Sequence, residues 1–188
     1  YAIFVDSGSG KTTFLSLLAG LDKPKAGAVE LEGKNIKKIG LTNYRKHGVT
    51  VVFQAYNLFT YMTPIDNLLT AMAITNSQHR GDKDYAMAML EKLGLSQAEM
   101  KKNVQHLSGG QQQRVAIART MVCDAKVVVA DEPTGNLDES NTVEVIELFQ
   151  KIAHEQGKCV IIVTHETTVD RMCDHVYQLA DHQFKEVS

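Results

Sequence analysis

The chain has 188 residues, with 20 Lys+Arg against 22 Asp+Glu and a formal charge of −2. That length suits one domain, or one domain with an inserted lobe, and it buries a core without disulfides or metal. An apolar fraction of 44% and a charged fraction of 22% exclude a disordered or collagen-like chain. The near-neutral balance argues against a mainly electrostatic nucleic-acid binder, so no nucleic-acid partner is expected.

Cys123, Cys159 and Cys173 lie far apart without CxxC spacing, which reads as reduced and cytosolic. The longest apolar runs, Phe14–Leu21 and Leu68–Ile74, are too short to span a bilayer. The chain opens on Tyr-Ala-Ile-Phe-Val, with no signal-like segment. A membrane connection is therefore expected to run through a partner.

In chain order, Ala2–Val5 is apolar and β-prone, and a Gly-rich turn follows at Asp6–Gly10. Lys11–Ala19 predicts a largely buried helix carrying Phe14, Leu15, Leu17 and Leu18. Val29–Leu31 and Val49–Phe53 read as strands. Pro64 to about Gly94 is Met- and Leu-rich and reads as helical, with Tyr85, Met89 and Leu93 recurring at helical spacing. Ser96 and Glu99 form a capping-box pattern. The Met stripe is expected to be core packing.

The second half alternates. Gly110–Met121 and Glu139–Glu155 read as helices, Lys126–Ala130 and Cys159–Val163 as strands. Glu166–Met172 reads as a further helix and His175–Leu179 as a strand. The continuous apolar runs at 127–130 and 160–163 suit parallel strands covered on both faces. Alternation of this kind predicts an α/β sheet with right-handed crossovers.

Ser7-Gly8-Ser9-Gly10-Lys11-Thr12 lies between a buried strand and a helix, the setting a phosphate-binding loop needs. Small residues let successive N–H groups face phosphate oxygens, and the helix adds its N-terminal partial charge. Lys11 can reach the β- and γ-phosphates, and the Thr12 hydroxyl can ligate Mg²⁺; Thr13 continues the loop into the helix. Val5 stands where the G-x-x-x-x-G-K-[ST] pattern has its first glycine. A β-branched residue is costly there if φ is positive and merely extends the strand if φ is negative.

Asp131 and Glu132 end an apolar strand, and in α/β sheets ligands bind beyond the carboxyl ends of strands. Asp131 is read as a Mg²⁺ holder and Glu132 as the group that polarises attacking water. Ser108-Gly109-Gly110-Gln111 opens an amphipathic helix and offers a second anion site. Two such sites serve one nucleotide only if different subunits supply them.

These segments together resemble the nucleotide-binding domain of ABC-type ATPases. Ser7–Thr12 resembles the Walker A loop, Val127–Glu132 the Walker B strand and Leu107–Gln111 the signature. Gln54 resembles the Q-loop residue, Gly135–Asp138 the D-loop and His165 the switch histidine. The wording of these motifs is most similar to the subgroup of lipoprotein release, macrolide and antimicrobial-peptide export, and the bacterial FtsE protein.

The resemblance implies an α/β P-loop NTPase: a mostly parallel sheet flanked by helices, with an inserted helical lobe. It implies a core of residues 1–54 and 104–188 and a lobe of about 55–103. Relatives carry strands before the Walker A strand, and these are missing ahead of Tyr1 in this sequence. Relatives usually have Asp-Gly where Asp181-His182 stands, which puts the closing hairpin in question.

The implied activity is Mg²⁺-dependent ATP hydrolysis by two such domains joined head to tail. Glu132, His165 and Gln54 would be catalytic, and Thr12, Gln54 and Asp131 would hold the metal. Ser108 to Gln111 would grip ATP on the partner domain, and Asp138 would couple the two sites. A transmembrane permease would be the second partner, touching Tyr56, Leu58, Phe59 or Tyr61, which fixes a cytoplasmic location at the membrane's inner face. The alternative is a regulatory module with little ATPase activity. A repair-type ATPase is disfavoured, because the Lys11–Ser108 interval holds no sustained heptads.

Overall fold

The computed structural model describes residues 1–6, 8–135, 137–180 and 182–187, without the side chains of residues 139, 140 and 167. Eight strands are present among them: β1 Ala2–Val5, β2 Glu30–Leu31, β3 Lys34–Asn35, β4 Val49–Val52, β5 Val127–Asp131, β6 Cys159–Thr164, β7 Val176–Ala180 and β8 Gln183–Glu186. The main sheet has the order β4-β5-β6-β1-β7-β8, and β2 pairs with β3 apart from it. Only β8 runs antiparallel to its neighbour in the main sheet; the other pairs are parallel.

Side chains alternate between the faces of this sheet with period two. Ala2, Val128, Ala130, Val160 and Ile162 enter one buried cluster. Ile3, Val129 and Val163 enter the other. Because both faces are covered there, the central strands β5 and β6 read as continuous apolar runs, whereas β8 at the edge is polar and exposed.

The helices are α1 Lys11–Leu18, α2 Ile36–Ile39, α3 Leu41–His47, α4 Pro64–Thr75, α5 Lys83–Lys92, α6 Gln97–Met100, α7 Gly109–Met121 and α8 Glu139–Gln156. In α8, Val145, Ile146, Phe149 and Ile152 are buried at helical spacing. Each such large side chain contributes about 1.5–3 kcal/mol on burial. Leu68 and Met72 of α4, Leu90 of α5 and Met100 of α6 join the same cluster as the sheet residues Val52 and Val128. The helices of residues 64–100 and the sheet thus share one continuous core. Met72 and Met100 are fully buried, as core packing requires.

Several sequence expectations shift. The helical stretch from Pro64 to Gly94 is two helices, because Asn76 turns left-handed at φ 53° and Asp82 caps a new start through the Tyr85 N–H. The buried face of α5 is centred on Ala86 and Leu90, with Tyr85 and Met89 at its edge. Helix α1 is half-buried, with only Leu15 fully inside. The segment Glu166–Met172 is a 3-10 turn, Thr167–Met172. The strand after Val29 belongs to a tight hairpin whose two turn residues, Glu32 and Gly33, have φ of 50° and 73°. The sequence reading assigned nothing to β3, α2 or α3. The closing hairpin, in question from Asp181-His182, is present as β7–β8; Asp181 itself lies outside the described residues.

Candidate functional site

Parallel strands point their carboxyl ends the same way, so the residues that follow them gather along one edge. Gln54 follows β4, Glu132 follows β5, His165 follows β6, and the Gly-rich loop follows β1. Gly8, Gly10, Lys11, Thr12, Thr13, Gln54, Glu132 and His165 line one cleft of about 510 Å³. Val5 and Asp6, which the sequence reading had placed at the start of the phosphate-loop pattern without a binding role, complete it.

Val5 pairs with Leu179 in β1 and is outside the left-handed region, so it extends the strand. The left-handed turn falls on Gly8 and Gly10, at φ 81° and 99°. No atom would contact a Cβ at Gly8, so glycine is needed there for its backbone rather than for space. Ser9 is buried, and its hydroxyl donates to the Asp6 carbonyl at 2.7 Å, so it holds the loop's shape and does not line the cleft. Ser7 lies outside the described residues.

Lys11 Nζ lies 3.0 Å from Glu132 Oε1 and 3.1 Å from Asp131 Oδ1. Glu132 is only 5% exposed. His165 Nδ1 is 2.9 Å from Oε1, and the Thr164 hydroxyl donates to Oε2 at 3.0 Å. Burial works to raise the Glu132 pKa, but the hydrogen bonds from His165 and Lys11 and the Lys11 charge outweigh it, so the carboxyl titrates below its usual range. Burial likewise works to lower Lys11, and the two carboxylates outweigh it, so the ammonium titrates above its usual range. Both shifts hold Lys11 and Glu132 charged at neutral pH.

Mg²⁺ prefers oxygen donors and usually takes one or two carboxylates with substrate phosphates and water. Among the described residues no cluster of three or more His, Cys, Asp or Glu could hold a metal alone. Asp131 Oδ1 is buried without a well-aligned hydrogen bond, its company being the Lys11 ammonium. Thr12 and Gln54 line the Lys11 cleft and bring oxygen donors of the kind that cation prefers, whereas Asp131 does not line the cleft and is joined to it through Lys11.

The second cluster lies elsewhere. Ser108 caps α7: its hydroxyl accepts from Gln111 N at 3.3 Å, and Gln111 Oε1 accepts from Ser108 N at 2.9 Å. Asp138 caps α8 by accepting from Asn141 N at 2.9 Å. A Cβ at Gly110 would lie 3.5 Å from Asn141 Oδ1, so the starts of α7 and α8 are neighbours. Ser108, Gly109, Gly110, Gln111 and Asp138 do not line the Lys11 cleft.

A family model described as ABC transporter matches residues 1–135, most of the chain. The chain belongs to the ABC transporter family. Its relatives include the uncharacterised ABC transporter ATP-binding protein YclH of Bacillus subtilis, 52% identical over 93% of this chain and 77% of that protein. The lipoprotein-releasing system ATP-binding protein LolD 1 of Rhodopseudomonas palustris is 36% identical over 96% of this chain and 81% of that protein. The macrolide export ATP-binding/permease protein MacB of Chlorobaculum tepidum is 40% identical over 96% of this chain, which spans 28% of it. A solved dimer of the ATP-binding cassette MJ0796, in a post-hydrolysis state bound to ADP and Pi, has a TM-score of 0.85 at 31% identity. That match covers 100% of this chain and 84% of the MJ0796 chain.

The ABC cassette fold is an α/β P-loop NTPase, and ABC cassettes are ATPases. No helix among the described residues is long and apolar enough to cross a membrane. Among the buried polar residues that escaped the sequence reading, Gln113 and Thr164 bear on the site. Gln113 is fully buried and donates to the Pro133 carbonyl at 2.7 Å, tying α7 to the segment after Glu132. Thr164 is fully buried beside Glu132. Thr164 offered a signal as the polar end of an apolar run, whereas Gln113, set among Gln111, Gln112 and Arg114, offered none.

Proposed function

We propose that this cassette binds Mg-ATP in the Lys11 cleft and hydrolyses it to ADP and phosphate. Two copies work head to tail, and the energy drives export or release of a substrate through a separate permease. The observation that carries this is Glu132: a buried, ionised carboxylate bonded by Lys11 and His165 at the mouth of a phosphate-binding loop.

The Lys11 ammonium and the loop N–H groups would receive the β- and γ-phosphates, with Thr13 in the first turn of α1. Phosphate competes with Asp131 and Glu132 for Lys11, and its arrival frees Glu132 Oε1 toward water. Glu132 then takes a proton from the attacking water, whose oxygen bonds to the γ-phosphorus as the bond to the ADP oxygen breaks and ADP leaves with that bond's electron pair. His165 and Gln54 contact the γ-phosphate or that water. Thr12, Gln54 and Asp131 would hold Mg²⁺, which would supply neutralisation of phosphate charge. Ser108, Gly109, Gly110 and Gln111 would reach the γ-phosphate bound by the other copy, and Asp138 would link the two sites. Their separation from the Lys11 cleft supports that division of labour.

The helices between residues 55 and 103 serve as the lobe that meets the permease. A groove of about 340 Å³ between the lobe and the sheet is lined by Leu21, Phe53, Phe59, Ala71, Ile74 and Arg119. Leu21 at 60% and Ile74 at 58% exposure are apolar and open. Of the four aromatic and apolar candidates, Phe59 and Tyr61 are exposed, whereas Tyr56 and Leu58 pack on the core. The location this implies is the cytoplasmic face of the membrane.

The test is ATP turnover by the isolated cassette with and without Mg²⁺. Glu132→Gln is expected to lower kcat at least 100-fold, on the scale of losing a general base, while Mg-ATP binding persists. Turnover that survives the substitution would falsify the assignment of Glu132.

A further inference from the structure

His182 occupies the turn between β7 and β8 with φ of +61°. Glycine adopts that backbone freely, and a histidine adopts it at a cost. Its side chain has a specific destination. His182 Nδ1 lies 3.2 Å from the carbonyl oxygen of Ser9, in the middle of the phosphate-binding loop. A carbonyl only accepts, so Nδ1 carries the hydrogen and donates it. The same nitrogen lies 3.6 Å from where a Cβ on Gly10 would sit, so the ring backs onto the loop. The hairpin is braced a second time by Phe184, whose ring packs on Phe14 of α1 at a centroid distance of 5.1 Å.

The consequence follows from peptide geometry. The Ser9–Gly10 peptide is trans, so its C=O and N–H point in opposite directions. Fixing the Ser9 oxygen against His182 turns the Gly10 N–H away from the hairpin. Gly10 lines the Lys11 cleft, and His182 does not. We infer that His182 is a positioning residue: it holds the phosphate-binding loop from behind, so that the Gly10 amide is aimed at the anion before the anion arrives. This rests on reading the cleft as the nucleotide site. Such preorganisation acts on nucleotide affinity, because the loop need not be ordered at the moment of binding.

Two substitutions separate a tether from a mere turn residue. His182→Gly removes the donor and suits the backbone; His182→Asn keeps an N–H donor near the position of Nδ1 and also tolerates φ > 0. The expected result for His182→Gly is a melting temperature no lower than the parent's. Its amides at residues 8–10 should exchange hydrogen several-fold faster without nucleotide. Its Kd for Mg-ADP by calorimetry should weaken about three- to tenfold, with kcat within about twofold, since the loop binds phosphate but does not attack it. His182→Asn should match the parent in exchange and in Kd. Parent-like exchange and Kd in His182→Gly overturn the inference, as does an equal loss in both variants. A parent that binds no Mg-ADP overturns the nucleotide reading instead, and the exchange measurement, which needs no nucleotide, still decides the tether.

Discussion

Glu132 has a φ of 44°, left-handed for a residue that gains nothing from it locally. Such a backbone costs about 1–3 kcal/mol and persists where surrounding contacts over-determine it. Here the Glu132 N–H donates to the Val163 carbonyl at 2.8 Å, and the carboxylate is bonded by Lys11, His165 and Thr164. The turn out of β5 therefore drives the carboxylate inward, toward the end of β6. The charges give a pH signature. Glu132 has its pKa lowered on folding, so its contribution to stability is complete above its unfolded pKa of about 4.3 and is lost as pH falls through the folded value. Lys11 is raised, so its contribution is complete below about 10.4 and is lost as pH rises through its folded value. The melting-temperature gap between the parent and Glu132→Gln is expected to be constant near neutral pH and to narrow below about pH 4. A gap unchanged from neutral pH to about pH 3 contradicts the sign of the shift.

At the scale of elements, β1 and α7 matter most for the site. Strand β1 is held on both sides, by β6 and β7, and launches the phosphate-binding loop. Val5 serves as a strand residue there. Val5→Gly is expected to cost about 1 kcal/mol or more through lost β-propensity and backbone entropy, and to leave Mg-ATP affinity unchanged within about twofold. Calorimetry and a thermal melt check both halves; a large gain in affinity would show that valine disturbs the loop after all. Helix α7 is tied at several points. Gln113 holds the segment after Glu132, while the Arg119 guanidinium donates to the carbonyls of Tyr56 and Asn57 at 3.1 and 2.6 Å. Those two residues are left-handed and follow Gln54 closely. One helix thus bridges the segments that carry Glu132 and Gln54 and begins at Ser108.

For the whole molecule, the proposed head-to-tail pair makes a prediction that no single chain can meet. Lys11→Ala and Ser108→Arg variants should each be inactive alone. Mixed, they form some dimers in which one composite site carries both lesions and the other is intact. Mixing is expected to restore a clear fraction of parental ATP turnover, and a mixture no more active than its components argues against sites shared between copies. The permease groove gives the second prediction at this scale. Ile74→Asp places a charge in its apolar lining at an already exposed position, so folding is expected to tolerate it within about 0.5 kcal/mol. Coupled transport and co-purification with a permease should fall, while ATP turnover of the isolated cassette persists.

The sequence alone determined the chemistry and the order of its parts. Lys11 was legible from the Gly-rich turn before it and Asp131 and Glu132 from the apolar run they end, while Gln54 and His165 were read from the order of the motifs. Their unbroken apolar character marked the runs at 127–130 and 160–163 as strands covered on both faces. The capping box at Ser96 was legible because its hydrogen bonds close within four residues; the one at Ser108, of the same local kind, was read only as an anion site. What the sequence left open depended on contacts between distant segments. Whether Val5 was a strand residue or a strained turn was decided by its pairing with Leu179. The split between outward Phe59 and inward Tyr56 depended on how the lobe packs on the sheet. The role of Thr164 required its approach to Glu132, and that of His182 its approach to Ser9, on segments far apart in the chain. Local hydrogen bonding and hydrophobic period are written residue by residue, whereas pairing across the sheet exists only once the chain has closed on itself.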